Sequence, residues 1–159
     1  MTTDAPLVLR IARRFDVTPE RVFDAWLDPA VAGRWLFATP GGAMQRVEID
    51  ARVGGGFLIA EQRADGLASH HGRYLELDRP RRIVFDFWAD PGDADDPARV
   101  VIDIAPAADG CELVLVQHLP ARYADYADRT RNGWTTLLAN LARTLDAAPA
   151  ATHSRETSA

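Results

Sequence analysis

The sequence predicts an α+β fold: an antiparallel sheet of about seven strands packed against one long C-terminal helix, with two short helices after the first strand. Three observations predict it. Strand-like and helix-like segments are segregated along the chain rather than alternating, which argues against the crossover units of a parallel sheet. Short period-two segments are separated by turn chemistry, as in successive hairpins. Finally, Ala121 to Ala147 carries one continuous apolar stripe, in which Tyr123, Ala127, Thr130, Trp134, Leu137, Leu138, Leu141 and Leu145 recur at helical spacing. Asp125, Asp128, Arg129, Arg131, Asn140 and Arg143 fall on the opposite side. Such a helix is roughly 40 Å long, about the width of seven strands at ~4.8 Å each, so one helix could cover the sheet.

The elements follow in order. Leu7, Leu9, Ile11, Arg13 and Phe15 alternate with Val8, Arg10, Ala12, Arg14 and Asp16, which defines the first strand. Thr18 followed by Pro19 is a helix cap with a first-turn proline, and Val22, Phe23 and Trp26 form a short apolar face behind it. Asp28 and Pro29 repeat the signal and start a second short helix, to about Leu36, that carries Trp35. Strands are then expected over Val47 to Arg52, Phe57 to Arg63, His71 to Leu77, Arg82 to Trp88, Arg99 to Ala105 and Glu112 to Leu119, with Gly54 to Gly56, Asp65 with Gly66, Asp78 to Pro80 and Ala108 to Gly110 as turns. Residues 1–147 form one domain, and 148–159, small and polar, read as a flexible tail.

Composition narrows the function classes. The chain has 159 residues, 47% of them hydrophobic, enough for a core without disulfides or metals. Cys111 is its only cysteine, and the N-terminus lacks the basic flank and apolar run of a signal peptide. With no stretch approaching a membrane span, a cytoplasmic protein is expected. The net charge of −5, with arginines interspersed among acids, argues against nucleic acid as a partner. Oligomeric state is not legible.

Period two assigns the sheet face that meets the helix. Phe57 and Ile59 share it with Glu61, Ile83 with Phe85 and Phe87, Val100 with Ile102 and Ile104, and Leu113 with Leu115 and Gln117. A single helix does not fill a curved sheet along its whole concave face, so a cavity between them is expected. Trp35, Phe87 and Trp134, from a short helix, a strand and the long helix, would form three of its walls. With Phe57, Ile59, Phe85 and Leu138 these make the candidate lining, although each could equally be core. Glu61 and Gln117 are the polar exceptions, and a buried polar group needs a partner. That partner could be a ligand, water at a strand end, the other of the two, or Arg13.

Catalytic and metal signals are weak. His70 and His71 are adjacent and on a strand face opposite ways, and His118, His153 and Cys111 lack ligand spacing with them. Asp93, Asp95 and Asp96 lie in a segment without the glycine and glutamate of a calcium loop. Gly54 to Gly56 opens no helix, so it is turn chemistry rather than a phosphate cradle. No serine lies in a nucleophile-elbow pattern, Cys111 reads as an inert thiol, and no cofactor is called for. Gly133, inside the long helix, invites a packing reason such as close approach to a strand, or marks a bend.

The phrases FDVTPERVFDAW, DPAVAGRW, VEIDARVGGGF, GRYLELDRPRRIVFDFW, DGCELVLVQHLP and GWTTLLANL resemble, in this order, the START-like (SRPBCC) proteins. Among these, they resemble the branch of the activator of the ninety-kilodalton heat-shock ATPase. The resemblance implies a helix-grip fold around an apolar pocket, and hence an apolar or amphipathic small molecule as partner. It leaves open a cyclase- or hydrolase-type enzyme and a chaperone ATPase-interacting domain, since members of the superfamily differ in activity. Many relatives carry histidine where this chain has Gln117, whose amide cannot serve as a general base.

Overall fold

The computed structural model describes residues 7–39, 41–89, 97–119 and 121–152. Seven strands form one sheet: β1 (Leu7–Phe15), β2 (Ala43–Ile49), β3 (Gly56–Arg63), β4 (Gly66–Asp78), β5 (Arg82–Ala89), β6 (Ala98–Ala107) and β7 (Gly110–Leu119). The spatial order is β1-β7-β6-β5-β4-β3-β2 with every pair antiparallel, so β2 to β7 form a hairpin meander and β1 pairs with the last strand. The α+β helix-grip architecture is as expected from the sequence. Register shifts between Met44 and Arg46 and between Tyr74 and Glu76 mark bulges, which bend and twist a sheet locally.

The sheet is two-faced. Leu9, Phe15, Phe57, Ile59, Phe85, Val100, Ile102, Leu113 and Leu115 are buried on the concave side. The convex side carries cross-strand ion pairs between register partners, Arg99 with Asp86 and Arg82 with Asp103, each at 2.8 Å.

Helix α1 (Pro19–Leu27) starts where Thr18 Oγ1 accepts from the Arg21 amide at 3.3 Å, and α2 (Pro29–Trp35) where Asp28 Oδ1 accepts from the Ala30 amide at 3.0 Å. Ala121–Tyr126, expected to open the long helix, is a 3-10 segment, a common form of helix N-termini, and α3 runs over Ala127–Thr152. Trp134, Leu138, Leu141 and Leu145 are the buried row of α3, as the stripe predicts. This helix does not cover the sheet alone. It packs on β1, α1 and α2, while α1 packs on β6 and β7, and α2 on β2.

Of the two readings of Gly133, close approach to a strand is not met. A Cβ built there meets nothing within 4 Å, so no strand approaches it and packing does not require glycine. No helix among the described residues is long and apolar enough to cross a membrane. Residues 1–6, the segment with Asp93, Asp95 and Asp96, and residues 153–159 of the expected tail lie outside the described residues.

Candidate functional site

Register places the centre of the site. Phe57, Gly72 and Phe87 lie in one row across β3, β4 and β5, and Ile59, His70 and Ala89 in the next. Gly72 is what lets aromatic rings meet over this row: a Cβ there would sit 1.9 Å from Cε2 of Phe57. Above the row the rings form a closed circuit. Trp26 touches Phe85 (6.4 Å between centroids), Phe85 touches Phe57 (5.4 Å), Phe57 touches Phe37 (6.1 Å), Phe37 touches Trp134 (5.8 Å), and Trp134 returns to Trp26 (6.1 Å). Phe87 touches three of these, Phe37, Phe85 and Trp134, at 5.7, 6.1 and 6.1 Å. The spacings are those of packed aromatic pairs.

Of the three expected walls, Phe87 and Trp134 are in contact, while Trp35 stands behind Trp26, which it meets edge-on at 4.6 Å. Trp35 is fully buried, and its Nε1 donates to the Ala25 carbonyl at 3.1 Å, tying α2 to α1. Leu138 is buried one turn beyond Trp134, and Ile59 is buried beside Phe57 on the same face.

The two polar exceptions are both 2% exposed, and both have protein partners. Gln117 Oε1 accepts from Trp134 Nε1 at 2.5 Å, which fixes the indole against the sheet. Glu61 accepts from the Thr39 amide at 2.9 Å, the Thr39 hydroxyl at 2.8 Å and Arg63 Nε at 2.7 Å. Neither is bound to the other or to Arg13. Burial raises the Glu61 pKa, but the Thr39 amide, Arg63 and the Thr39 hydroxyl together outweigh it and hold the carboxyl below its usual range. The pair is a clamp on the chain after α2, because Arg63 Nη2 also donates to the Phe37 carbonyl at 3.1 Å.

That clamp holds Phe37 in an unusual backbone conformation. Its φ is 57°, the left-handed region, at the position after the α2 C-cap where glycine is the usual occupant. For a bulky residue this costs about 1–2 kcal/mol, and it persists only where the surroundings over-determine it. The ring is 7% exposed and lies flat on His70, with centroids 4.0 Å apart and planes 1° apart. His70 and Phe87 are only partly buried, so the circuit is least sealed on this side.

His70 is the titratable group of the site. Burial, reinforced by the Arg63 charge, lowers its pKa to about 4 against the opposing pull of Glu61, so the imidazole is neutral near pH 7. Its Nδ1 is shielded from solvent and has no hydrogen-bond partner among the described residues. His71 faces the other way, against Trp88 at 5.7 Å, as expected of neighbours on a strand. Cys111 is buried, and desolvation raises its thiol pKa, which is the condition of an inert cysteine. Among the described residues, no three His, Cys, Asp or Glu side chains are placed to hold a metal ion.

Sequence reading missed Phe37, His70, Thr39, Arg63 and the bridging place of Trp26. Period two on β4 could have found His70, which shares a face with Gly72 and Tyr74. Nothing local signals Phe37.

Comparison with known proteins agrees with this fold. The family described as Activator of Hsp90 ATPase homolog 1-like protein matches residues 16–146. Among solved structures, a protein from Chromobacterium violaceum is 32% identical with a TM-score of 0.75, the alignment covering 87% of this chain and 96% of that one. An AHSA1-like protein from Aeromonas hydrophila has 23% identity and a TM-score of 0.76, covering 89% and 94%. A protein of unknown function from Staphylococcus aureus, at 14% identity, has a TM-score of 0.80 and covers 90% and 95%; these last two likenesses speak to fold alone. No curated protein matches the sequence significantly. With its family match extending over most of its length, the chain belongs to the Activator of Hsp90 ATPase homolog 1-like family, within the START-like superfamily.

Proposed function

We propose that this protein binds a small, largely apolar or amphipathic molecule at the aromatic circuit between the sheet, the end of α2 and α3. The fold is one that typically holds ligands. The observation that carries the reading is Phe37: a strained residue, clamped by Arg63 and laid on a partly exposed histidine at the edge of the ring circuit. Strain of this kind collects at binding and switch sites, because a well-packed core gains nothing from it. Apolar area would supply the affinity, at about 25 cal/mol per Å² removed from water. Gln117 is a positioning residue that acts through Trp134.

Native mass spectrometry of freshly purified protein, followed by titration with a series of apolar and amphipathic ring compounds, tests this. A co-purifying mass or saturable binding is expected. Phe87→Ala should weaken the whole series together, because it removes a contact common to all of them. Absence of both a bound mass and saturable binding would return the circuit to the status of a filled core.

A further inference from the structure

Among the described residues, three buried side-chain nitrogens have no hydrogen-bond partner: Arg13 Nε, Trp26 Nε1 and His70 Nδ1. An orphaned buried polar atom is uncommon and calls for an explanation. Arg13 has one in part, since its guanidinium lies 5.9 Å over the Phe15 ring. Trp26 and His70 both belong to the ring network of the proposed site, Trp26 within the circuit and His70 stacked on Phe37. Trp26 is 2% exposed, enclosed by Trp35, Phe85 and Trp134, and so lies deep. His70 is on the less sealed side, next to Phe37 and one register row from Phe87.

The state of the imidazole follows from its surroundings. The charged and titratable groups acting on it are Arg63 and Glu61 on β3 and His71 on its own strand. The facing group from the end of α2 is the uncharged Phe37 ring. Glu61, the carboxylate that acts on it among the described residues, is already engaged by Thr39 and Arg63. A neutral imidazole has one N–H and one bare lone pair. A buried orphaned N–H is rarer than an unfilled acceptor, so the proton belongs on Nε2 and the lone pair on the buried Nδ1.

We propose that His70 is a ligand-binding residue whose Nδ1 accepts a hydrogen bond from an O–H group on a flat aromatic ligand, so that the site prefers phenols to their ethers. This rests on the reading of the ring circuit as a ligand site, and it names the class of ligand. Rings supply stacking partners for a planar molecule, and a lone pair at their edge discriminates only between ligands that can and cannot donate to it.

The probes are 2-naphthol, 2-methoxynaphthalene and, as the ring-only reference, naphthalene, titrated by tryptophan fluorescence at pH 7. Wild type should bind 2-naphthol about five- to tenfold more tightly than the ether, the worth of one hydrogen bond. His70→Phe, which keeps a stacking ring and lacks the acceptor, should bring that ratio to about one. In wild-type protein carrying ¹⁵N-labelled histidine, the Nδ1 resonance should be that of an unprotonated nitrogen and should move with 2-naphthol but not with the ether; this readout needs no variant to fold. Equal binding of naphthol and ether, a preference that survives His70→Phe, or a protonated Nδ1 overturns the role of His70 while the reading of the ring circuit as a ligand site stands. Failure of wild type to bind any of the three probes overturns this inference and, where no bound mass co-purifies, the reading of the ring circuit as a ligand site with it.

Discussion

Gly72→Ala is a small change with a cost that can be worked from geometry. The added carbon would lie 1.9 Å from Cε2, 2.3 Å from Cζ and 2.5 Å from Cδ2 of Phe57. Carbon atoms rest about 3.5–4 Å apart, so the ring must retreat by roughly 1.5 Å. It has nowhere easy to go: Phe57 is 6% exposed, and Phe37, Tyr74 and Phe85 surround it at 6.1, 5.9 and 5.4 Å. Overpacking of this kind costs about 1–3 kcal/mol, partly offset by the ~0.5–1 kcal/mol that alanine gains over glycine in a strand. A net loss of about 1–2 kcal/mol is expected. The assay is urea denaturation followed by tryptophan fluorescence and circular dichroism, read as a shift in midpoint at constant slope. In a Phe57→Leu background the clash is gone, so Gly72→Ala should there be neutral or slightly stabilising, a coupling of about 1–2 kcal/mol between the two positions. A neutral Gly72→Ala in wild type, or an equal loss in both backgrounds, would refute the claim that this glycine exists to seat the Phe57 ring.

Gly133→Ala should do the reverse and stabilise by ~0.5–1 kcal/mol, because the site is open and helical; a lower denaturation midpoint would contradict this. Gln117→Leu strands the Trp134 indole N–H in the core and should cost about 1–3 kcal/mol, most of which Trp134→Phe in the same chain should abolish in a double-mutant cycle. Stability should fall on acidification from pH 6.5 towards 4, since the unfolded chain takes up a proton near 6.5 that folded His70 refuses until about 4. At ~1.4 kcal/mol per pH unit this is at most on the order of 3 kcal/mol. It is fully retained above pH 6.5, and lies mainly above the window in which the depressed Glu61 carboxyl protonates. His70→Phe should flatten the denaturation midpoint between pH 4.5 and 6.5, and an unchanged slope would remove His70 as its cause.

The concave-face sets were legible because a strand's period of two is a local property. Phe57 with Ile59 and Glu61, and Leu113 with Leu115 and Gln117, needed only an assigned strand to be placed together. The first five residues of β4 were not legible. Gly66 to His70 lacks apolar alternation, and those residues are held as strand by backbone pairing with β3, extended at His70 to β5, rather than by burial of side chains. Partner choice was equally hidden. That Glu61 would meet Thr39, and Gln117 meet Trp134, depends on how chain segments 22 and 17 residues apart come back together, for which periodicity holds no information. Phe37 was the least visible, because its conformation contradicts the local preference for glycine at a left-handed helix end.

That contradiction also says which interactions set the site. Left-handed Phe37 costs about 1–2 kcal/mol, and ring stacking on His70 is worth only about 0.5–1.5 kcal/mol beyond the area it buries. Stacking alone therefore does no better than break even over most of that range. The hydrogen bonds around Glu61 and Arg63 involve charged groups, each worth about 1.5–3 kcal/mol, and one of them ends on the Phe37 carbonyl itself. Glycine at position 42 belongs to the same device: a Cβ there would sit 2.3 Å from the Glu61 carboxyl, displacing the group that secures Thr39. The decisive term is thus electrostatic and lies on β3, although the surface it shapes is aromatic. Glu61 enters the site as the anchor of Phe37, and on the proposed reading the rings and His70 are what remain for a ligand to touch.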